Sequence, residues 1–310
     1  MGLKKIVIIT AKVHDYLLSA LEEKGFTVSY VPQVSYDELN AMVSAAEGLI
    51  VTTRLSIDKT VLDNAVNLKW IGRLGSGMEL IDVAYAESRG VKCVSSPEGN
   101  RQAVAEHTLG MVLGLLHKIN SSFTEIKNGK WIREANRGKE LSGKTVGIIG
   151  LGNTGNAFAG LLSSFGVTVL AYDKYKFGFS YQHIKESSLA EISANADVIS
   201  FHVPLSVSTQ QMADEFFFNS LQQKPIIINT SRGGVIKTAA LIKALQQNLV
   251  SGIALDVLEN EHLDNLSAVE KKELDLLSQH PAVLLTPHIA GYSAEAFYKM
   301  SVVILEKLEI

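Results

Sequence analysis

One cysteine, Cys93, occurs among 310 residues, so no intrachain disulfide can form and no cysteine-based metal site can be assembled. A reducing compartment, the cytoplasm, is the expected location, and no metal is expected. Neither sign of charge dominates: 29 Lys and Arg against 32 Asp and Glu give a formal net charge of −3, and the basic residues are scattered. The electrostatic footprint of a nucleic-acid binder is therefore missing, which leaves small molecules and copies of the chain itself as expected partners. No stretch reaches the roughly 18 uncharged apolar residues that a membrane span needs. The apolar run from Ile6 to Thr10 is too short for the core of a signal peptide and meets Lys12, His14 and Asp15 at once. The residues after Gly2 offer no Ser or Thr at the myristoylation position. There is no internal repeat, low-complexity tract or long flexible linker. A soluble protein is expected.

What is present is enough apolar residue, 46% of the chain, to build a substantial core at about twice the commonest domain size. Short apolar runs recur at 5–10, 26–31, 48–53, 69–74 and 91–94, separated by segments with helical spacing. One of these opens at Ser35 with Glu38 three residues on, a capping-box pattern. Strand and helix alternate, which predicts a parallel sheet covered on both faces. From Asn100 a long amphipathic stretch runs to about Ile119 and reads as a bridge. Alternation then restarts at 145–149 and continues at 167–172, 197–201, 226–229, 252–255 and 283–285, with a second capping pattern at Ser188 and Glu191. The expected fold class is α/β with two doubly wound parallel-sheet domains, a flavodoxin-like one and a Rossmann one, and a cleft between them.

Gly150, Gly152 and Gly155 form a GxGxxG directly after the strand ending at Ile149 and before a helical segment from Ala157 to Phe165. The first glycine permits a tight turn, the second lets backbone approach a pyrophosphate, and the third lets helix and strand pack closely. Phosphates would then sit at a helix N-terminus, where free amides and the dipole favour an anion. Alone, such a motif among 24 glycines is weak. Its context strengthens it: the next strand ends at Tyr172, and Asp173 follows, where an acidic side chain can bind ribose hydroxyls and repel a 2′-phosphate. NAD is the expected cofactor. Lys174 and Lys176 nearby could soften that repulsion, although they read more simply as solvated surface charges.

Polar residues cluster where the later strands end, at the carboxyl edge where open α/β sheets bind ligands: His202, Val203 and Pro204; Thr230, Ser231 and Arg232; Asp256, Glu259 and Glu261; and Thr286, Pro287 and His288. Any one of them has a bland structural explanation. Together they meet the needs of hydroxy-acid oxidation. His288 suits the hydroxyl proton, because histidine is the side chain whose unperturbed imidazole exchanges a proton close to working pH. Arg232 can grip a carboxylate through two donors. Glu261 or Glu259 could orient the imidazole.

With these residues in view, the chain closely resembles the D-isomer-specific 2-hydroxyacid dehydrogenase family, which includes phosphoglycerate, glycerate, D-lactate and erythronate 4-phosphate dehydrogenases. The resemblance runs over nearly the whole chain and is carried by 99–108, 141–152, Tyr172 with Asp173, 202–205, 229–234, 255–257 and 286–288. It implies Arg232 as substrate grip, Glu261 rather than Glu259 behind the histidine, His288 as acid/base, and Asp256 at the nicotinamide carboxamide. It implies a cofactor set of Ser76, Thr108, Gly150, Gly152, Asn153, Thr154, Gly155, Asp173, His202, Val203, Pro204, Thr230, Ser231, Asp256 and Gly291. Substrate contacts are expected from Arg54, Ser76, Gly77, Asn100 and Arg232. Residues 1–98 with 288–310 would form the substrate domain, and 99–287 would bind the nucleotide and pair into a homodimer.

The chain departs from the family in three ways. His262 stands where proline usually follows the catalytic glutamate, and a long charged segment, 263–279, comes after it. The sequence stops at Ile310, early for the family, so an appended regulatory domain is not expected. Residues 289–292 resemble the erythronate 4-phosphate branch, although Tyr292 could simply pack locally. Arg54 matches a phosphate-binding position of phosphoglycerate dehydrogenases and Arg101 could add a second cation, so 3-phosphoglycerate is the leading substrate. Glycerate or hydroxypyruvate, D-lactate and erythronate 4-phosphate are alternatives. A non-enzymatic NADH sensor on the same scaffold is a rival reading. Another Rossmann enzyme would call for a Tyr-x-x-x-Lys pair or zinc ligands, which are not found.

Overall fold

The inner strands are short apolar runs such as Val198–Phe201 and Ile226–Asn229, buried along their whole length as a parallel sheet covered on both faces requires, whereas the edge strands Thr27–Tyr30, Lys92–Ser95 and Ile184–Glu186 are partly exposed. The computed structural model describes residues 5–310. The expectations placed on residues 1–4, concerning lipidation and a leader, lie outside them. The described chain divides into two compact units, residues 5–101 with 291–310 and residues 102–290. The joints thus fall at 101/102 and 290/291 rather than at 98/99 and 287/288.

The first unit holds β1 (Ile6–Ile9), β2 (Thr27–Tyr30), β3 (Ala46–Val51), β4 (Trp70–Arg73) and β5 (Lys92–Ser95), all parallel in the order β2-β1-β3-β4-β5. That is the flavodoxin-like order. The helix Tyr36–Met42 starts at the expected capping box, with Ser35 and Glu38 each satisfying the other's free amide. Ile8, Leu49, Val51 and Ile71 anchor one core layer against Leu39, Val61 and Leu62. Full burial of each such side chain contributes about 1.5–3 kcal/mol. The helix Ala294–Leu308 also belongs to this unit and brings Ile304 against Gly72 of β4.

The second unit holds β6 (Thr145–Ile149), β7 (Thr168–Tyr172), β8 (Ile184–Glu186), β9 (Val198–Phe201), β10 (Ile226–Asn229), β11 (Gly252–Leu255) and β12 (Val283–Leu285). All pair in parallel, in the order β12-β11-β10-β9-β6-β7-β8. Period-two alternation splits the core into two layers: Ile227 packs with Ile149, Ile199 and Ile253, while Ile226 and Ile228 pack with Ile148, Val198 and Ala254. The order reverses between β6 and β9, and the carboxyl ends at that point form the ligand crevice of such sheets.

Two elements differ from expectation. The edge strand β8 is only three residues long and mostly exposed, so it carries little hydrophobic signal. The bridge helix starts at Pro97, a favoured first position, and ends at Leu116; Lys118, at φ 53°, breaks it from a second helix, Ile119–Lys127. The charged segment after Glu261 contains the helix Ala268–Gln279, set by a capping box of Ser267 and Glu270. Among the described residues no helix is long and apolar enough to cross a membrane.

Candidate active site

The parallel sheet of the second unit brings Gly150, Asp173, His202, Thr230, Asp256 and Thr286 to one edge, each just past the end of its strand. At the glycine turn, Gly150 has φ +98°, and a Cβ there would lie 2.4 Å from the carbonyl oxygen of His202. A Cβ on Gly155 would lie 2.0 Å from the carbonyl oxygen of Gly150. Internal packing therefore requires both. Gly152 is different: nothing lies within 4 Å of its would-be Cβ, so its smallness leaves open space outside the fold. It is the N-cap of Asn153–Leu161 and provides no side-chain cap, leaving the first amides of that helix, around Asn153 and Thr154, for an external acceptor.

The rest of the loop fits a dinucleotide as well. Asp173 Oδ2 accepts the Leu151 amide at 2.9 Å and Oδ1 accepts the Tyr175 amide at 2.9 Å. Lys176 Nζ donates to the carbonyl of Leu151 at 2.7 Å and Asn156 Nδ2 to the same oxygen at 2.8 Å. The carboxylate thus holds the glycine turn while retaining lone pairs for hydroxyl donors. Burial drives the His202 imidazole down to a pKa of about 4. Its Nε2 pairs with Ser200 Oγ at 2.9 Å, while Nδ1 is buried with no partner. Val203 packs beside Gly150, and Pro204 is exposed next to it. Thr108 and Thr230, also expected near the cofactor, are buried and bonded to each other, Oγ1 to Oγ1, at 3.0 Å.

Arg232 stands beyond β10 in a turn organised by Asn229, whose Oδ1 accepts the amide and hydroxyl of Ser231 and whose Nδ2 donates to the Arg232 carbonyl. Asn229 is a positioning residue that residue-by-residue reading passed over. Arg232 Nη1 donates to the Ser231 carbonyl at 2.7 Å. A Cβ on Gly233 would sit 1.8 Å from the carbonyl oxygen of Leu258, so this turn lies flush against the segment leading to Glu261.

His288 Nδ1 meets Glu261 Oε2 at 2.8 Å. Glu259 has other partners, accepting from the Thr238 amide at 2.7 Å and from Gln211 Nε2 at 3.1 Å. Burial pushes the Glu261 carboxyl up, but the hydrogen bond and charge of His288, the Leu258 amide and the charge of Arg232 outweigh it, leaving the group below its ordinary value. His288 has φ +54°, a left-handed backbone that costs a non-glycine residue about 1–2 kcal/mol. Asp256 holds it there. Its backbone oxygen accepts the His288 amide at 2.7 Å, and its carboxylate accepts the amides of Ile289 at 2.9 Å and Ala290 at 2.8 Å. The role at a nicotinamide carboxamide that resemblance implies for Asp256 meets a carboxylate that is 1% exposed and already engaged inside the fold.

In the first unit, the Gly75 amide is bonded to Ser96 Oγ at 2.9 Å, which leaves the amides of Ser76 and Gly77 as that loop's candidates for an anion. Arg54 is exposed, and its guanidinium donates to the carbonyls of Val34 and Thr10. Asn100 carries a buried Oδ1 with no partner. Gly291 begins this unit's C-terminal segment, and Tyr292 packs edge-on to Phe297 at 4.8 Å. Among the described residues no group of three His, Cys, Asp or Glu could hold a metal ion.

Comparison with known proteins identifies the scaffold. Residues 109–290 match the model of the D-isomer specific 2-hydroxyacid dehydrogenase, NAD binding domain. The chain is 32% identical over 304 residues to a D-3-phosphoglycerate dehydrogenase of Archaeoglobus fulgidus, covering 97% of this chain and 56% of that protein. It is 33% identical over 292 residues to a hydroxypyruvate reductase of Thermotoga maritima, covering 94% of this chain and 92% of that protein. The D-lactate dehydrogenase from Aquifex aeolicus, solved with NAD and lactic acid, superposes with a TM-score of 0.84 at 26% identity, covering 98% of this chain and 94% of that one. The chain thus spans little more than half the length of the phosphoglycerate dehydrogenase it matches. It belongs to the D-isomer-specific 2-hydroxyacid dehydrogenases, and its second unit is that family's NAD-binding domain.

Proposed function

We propose that the chain is an NAD-dependent oxidoreductase interconverting a small D-2-hydroxy acid and its 2-keto acid, with Arg232, Glu261 and His288 as its catalytic set. The observation that carries this reading is the His288–Glu261 pair at 2.8 Å. Because Nδ1 points its hydrogen at the carboxylate, Nε2 is the nitrogen that takes the hydroxyl proton in oxidation and returns it in reduction. The ionised glutamate stabilises the imidazolium formed in between. Arg232 binds the substrate carboxylate, and its charge also favours the ionised form of Glu261. NAD, when bound, supplies the hydride acceptor. The glycine turn and the open helix start would hold its phosphates and Asp173 its ribose hydroxyls, with His202 to Pro204 on the same strand edge.

For the substrate, Arg54 and the amides of Ser76 and Gly77 support 3-phosphoglycerate as the leading reading. A second reading, glycerate and hydroxypyruvate, is favoured by the anchoring of Arg54 on two carbonyls and by the relative named hydroxypyruvate reductase that matches along most of its length. We further read the protein as a cytoplasmic homodimer. The helix Ile119–Lys127 presents Ile119, Phe123 and Ile126 at helical spacing, each more than half exposed, with Trp131 86% exposed just after it. An apolar face of this kind marks an interaction surface.

The test is NADH-dependent reduction of 3-phosphohydroxypyruvate, hydroxypyruvate, glyoxylate and pyruvate by wild type, His288→Ala and Arg54→Ala. Turnover of the phosphorylated acid, abolished by the first substitution and weakened in KM by the second, supports the leading reading. Turnover of hydroxypyruvate unaffected by Arg54→Ala supports the second. If NADH binds but none of these acids is reduced, the substrate assignment falls and the sensor reading moves to the front.

A further inference from the structure

His107 lies in the helix Pro97–Leu116 and has no part in the chemistry described so far. Its Nε2 is 3.0 Å from Thr286 Oγ1 and 3.7 Å from Asp256 Oδ1. The Thr286 hydroxyl is in turn 2.6 Å from the same Asp256 oxygen. A hydroxyl has one hydrogen, and an ionised carboxylate can only accept, so that hydrogen goes to Asp256. The oxygen of Thr286 must then accept, and His107 is its donor through Nε2–H. The imidazole tautomer is thereby assigned by the chain of bonds: His107 to Thr286, Thr286 to Asp256.

The end of that chain is the residue that fixes the His288 turn. Asp256 receives three consecutive amides, those of His288, Ile289 and Ala290, the first on its backbone oxygen and the others on its carboxylate. The carboxylate is almost wholly out of water, where orientation depends on the donors it finds, and bonds in such a network reinforce one another. Oδ1 is shared between the Thr286 hydroxyl and the Ile289 amide, so the direction of one bond sets the room for the other. Free rotation of the Thr286 hydroxyl would loosen that sharing, and with it the left-handed backbone that carries the His288 ring to Glu261.

We propose that His107 is a positioning residue for proton transfer at His288, acting through Thr286 and Asp256. It touches neither reacting atoms nor cofactor in this role. It orients the hydroxyl that orients the carboxylate that holds the turn. The proposal rests on the reading of His288 as the acid/base of keto-acid reduction, and is tested so that the two can fail separately.

Wild type is compared with His107→Leu, His107→Gln, Thr286→Val and Thr286→Ser in steady-state reduction, in NADH affinity by fluorescence titration, and in hydrogen exchange of the peptide covering 286–290. Loss of the outer partner of a metal-bound histidine typically costs about 10–100-fold, and the same scale is taken here for the chain of bonds behind an acid/base histidine. His107→Leu and Thr286→Val are expected to lower kcat by about 10-fold or more with NADH affinity changed less than about twofold, and to speed exchange at 288–290. His107→Gln keeps a donor and Thr286→Ser keeps the hydroxyl, so both are expected to recover most of the rate and the protection. A folded His107→Leu protein with wild-type kcat overturns the proposal. So does a loss of kcat and NADH affinity together that neither conservative variant rescues, since that is general destabilisation. If wild type reduces no keto acid, the functional reading falls, and exchange at 288–290 still decides whether His107 holds the turn: unchanged rates in His107→Leu overturn it.

Discussion

Glu261 Oε2 and His288 Nδ1 lie 2.8 Å apart, whereas Glu259, two residues earlier, caps a helix instead. The two glutamates are therefore separable by substitution. Glu261→Gln removes the charge behind the imidazole and is expected to lower kcat by about 10²-fold, as loss of a general acid/base partner does, with NADH affinity retained. Glu259→Ala, which removes the acceptor at the helix start, is expected to leave kcat near wild type and to cost about 1 kcal/mol of stability, because the helix Thr238–Gln246 has no side-chain cap of its own at Lys237. Parallel activity and denaturation curves check both, and equal activity losses would assign the wrong glutamate.

The glycine turn offers a second contrast. Gly155→Ala would force a methyl to within 2.0 Å of the Gly150 carbonyl and is expected to destabilise the unit by about 1–3 kcal/mol, the usual toll of overpacking. Gly152→Ala meets no atom of the chain; it is expected to leave the melting temperature nearly unchanged and to weaken NADH binding by 10-fold or more. Calorimetry and NADH titration of the two variants distinguish the roles, and normal NADH affinity in Gly152→Ala would remove the pyrophosphate from this position.

His202 predicts a pH dependence of stability. Its folded pKa of about 4 lies below the ordinary 6.5, so between those values the unfolded chain binds a proton that the folded chain refuses. Stability is then full above about 6.5, declines as pH falls toward 4, and has lost up to about 3 kcal/mol from this group at the lower limit. Glu261 adds a loss of the same sign further into acid, because its folded pKa is lowered and its stabilisation disappears on protonation. Urea unfolding at pH 7 and pH 5 is expected to show a smaller pH difference in His202→Asn than in wild type; identical slopes would rule out His202 as the source.

The apolar face of Ile119, Phe123 and Ile126 bears on assembly. Phe123→Lys, at a side chain 61% exposed in the single chain, should leave folding intact and shift sedimentation from dimer to monomer. A wild-type protein that sediments as a monomer at micromolar concentration would refute the dimer.

Much of this was readable in advance because it depends on short-range rules. The inner strand runs are apolar since both faces of each sheet are covered there, and Ser35 and Ser188 announced their helices through reciprocal caps. The same signal was present at Ser267 and Glu270, hidden by the charged character of 263–279. The break at Lys118 was not legible, because a left-handed lysine carries no compositional mark. The site divides the same way. Residue types at the strand ends suggested acid, base and anion grip, but left Glu259 and Glu261 unresolved without resemblance. Distance separates them here. For Asp256 the motif marked a carboxylate at a strand end, but that it accepts the amides of Ile289 and Ala290 is visible only once the fold delivers them.

The strand edge that carries Gly150, Asp173, His202, Thr230, Asp256 and Thr286 also has an evolutionary consequence. The hydrophobic sheet behind it holds the unit together by burial, while the turns at its rim carry the residues read here as meeting the cofactor. The residues proposed to tell one acid from another, Arg54, Ser76 and Gly77, lie in the first unit, so a change of acid need not disturb the turns that hold the cofactor. Relatives named for phosphoglycerate, hydroxypyruvate and lactate chemistry on one architecture are the natural outcome of that division of labour.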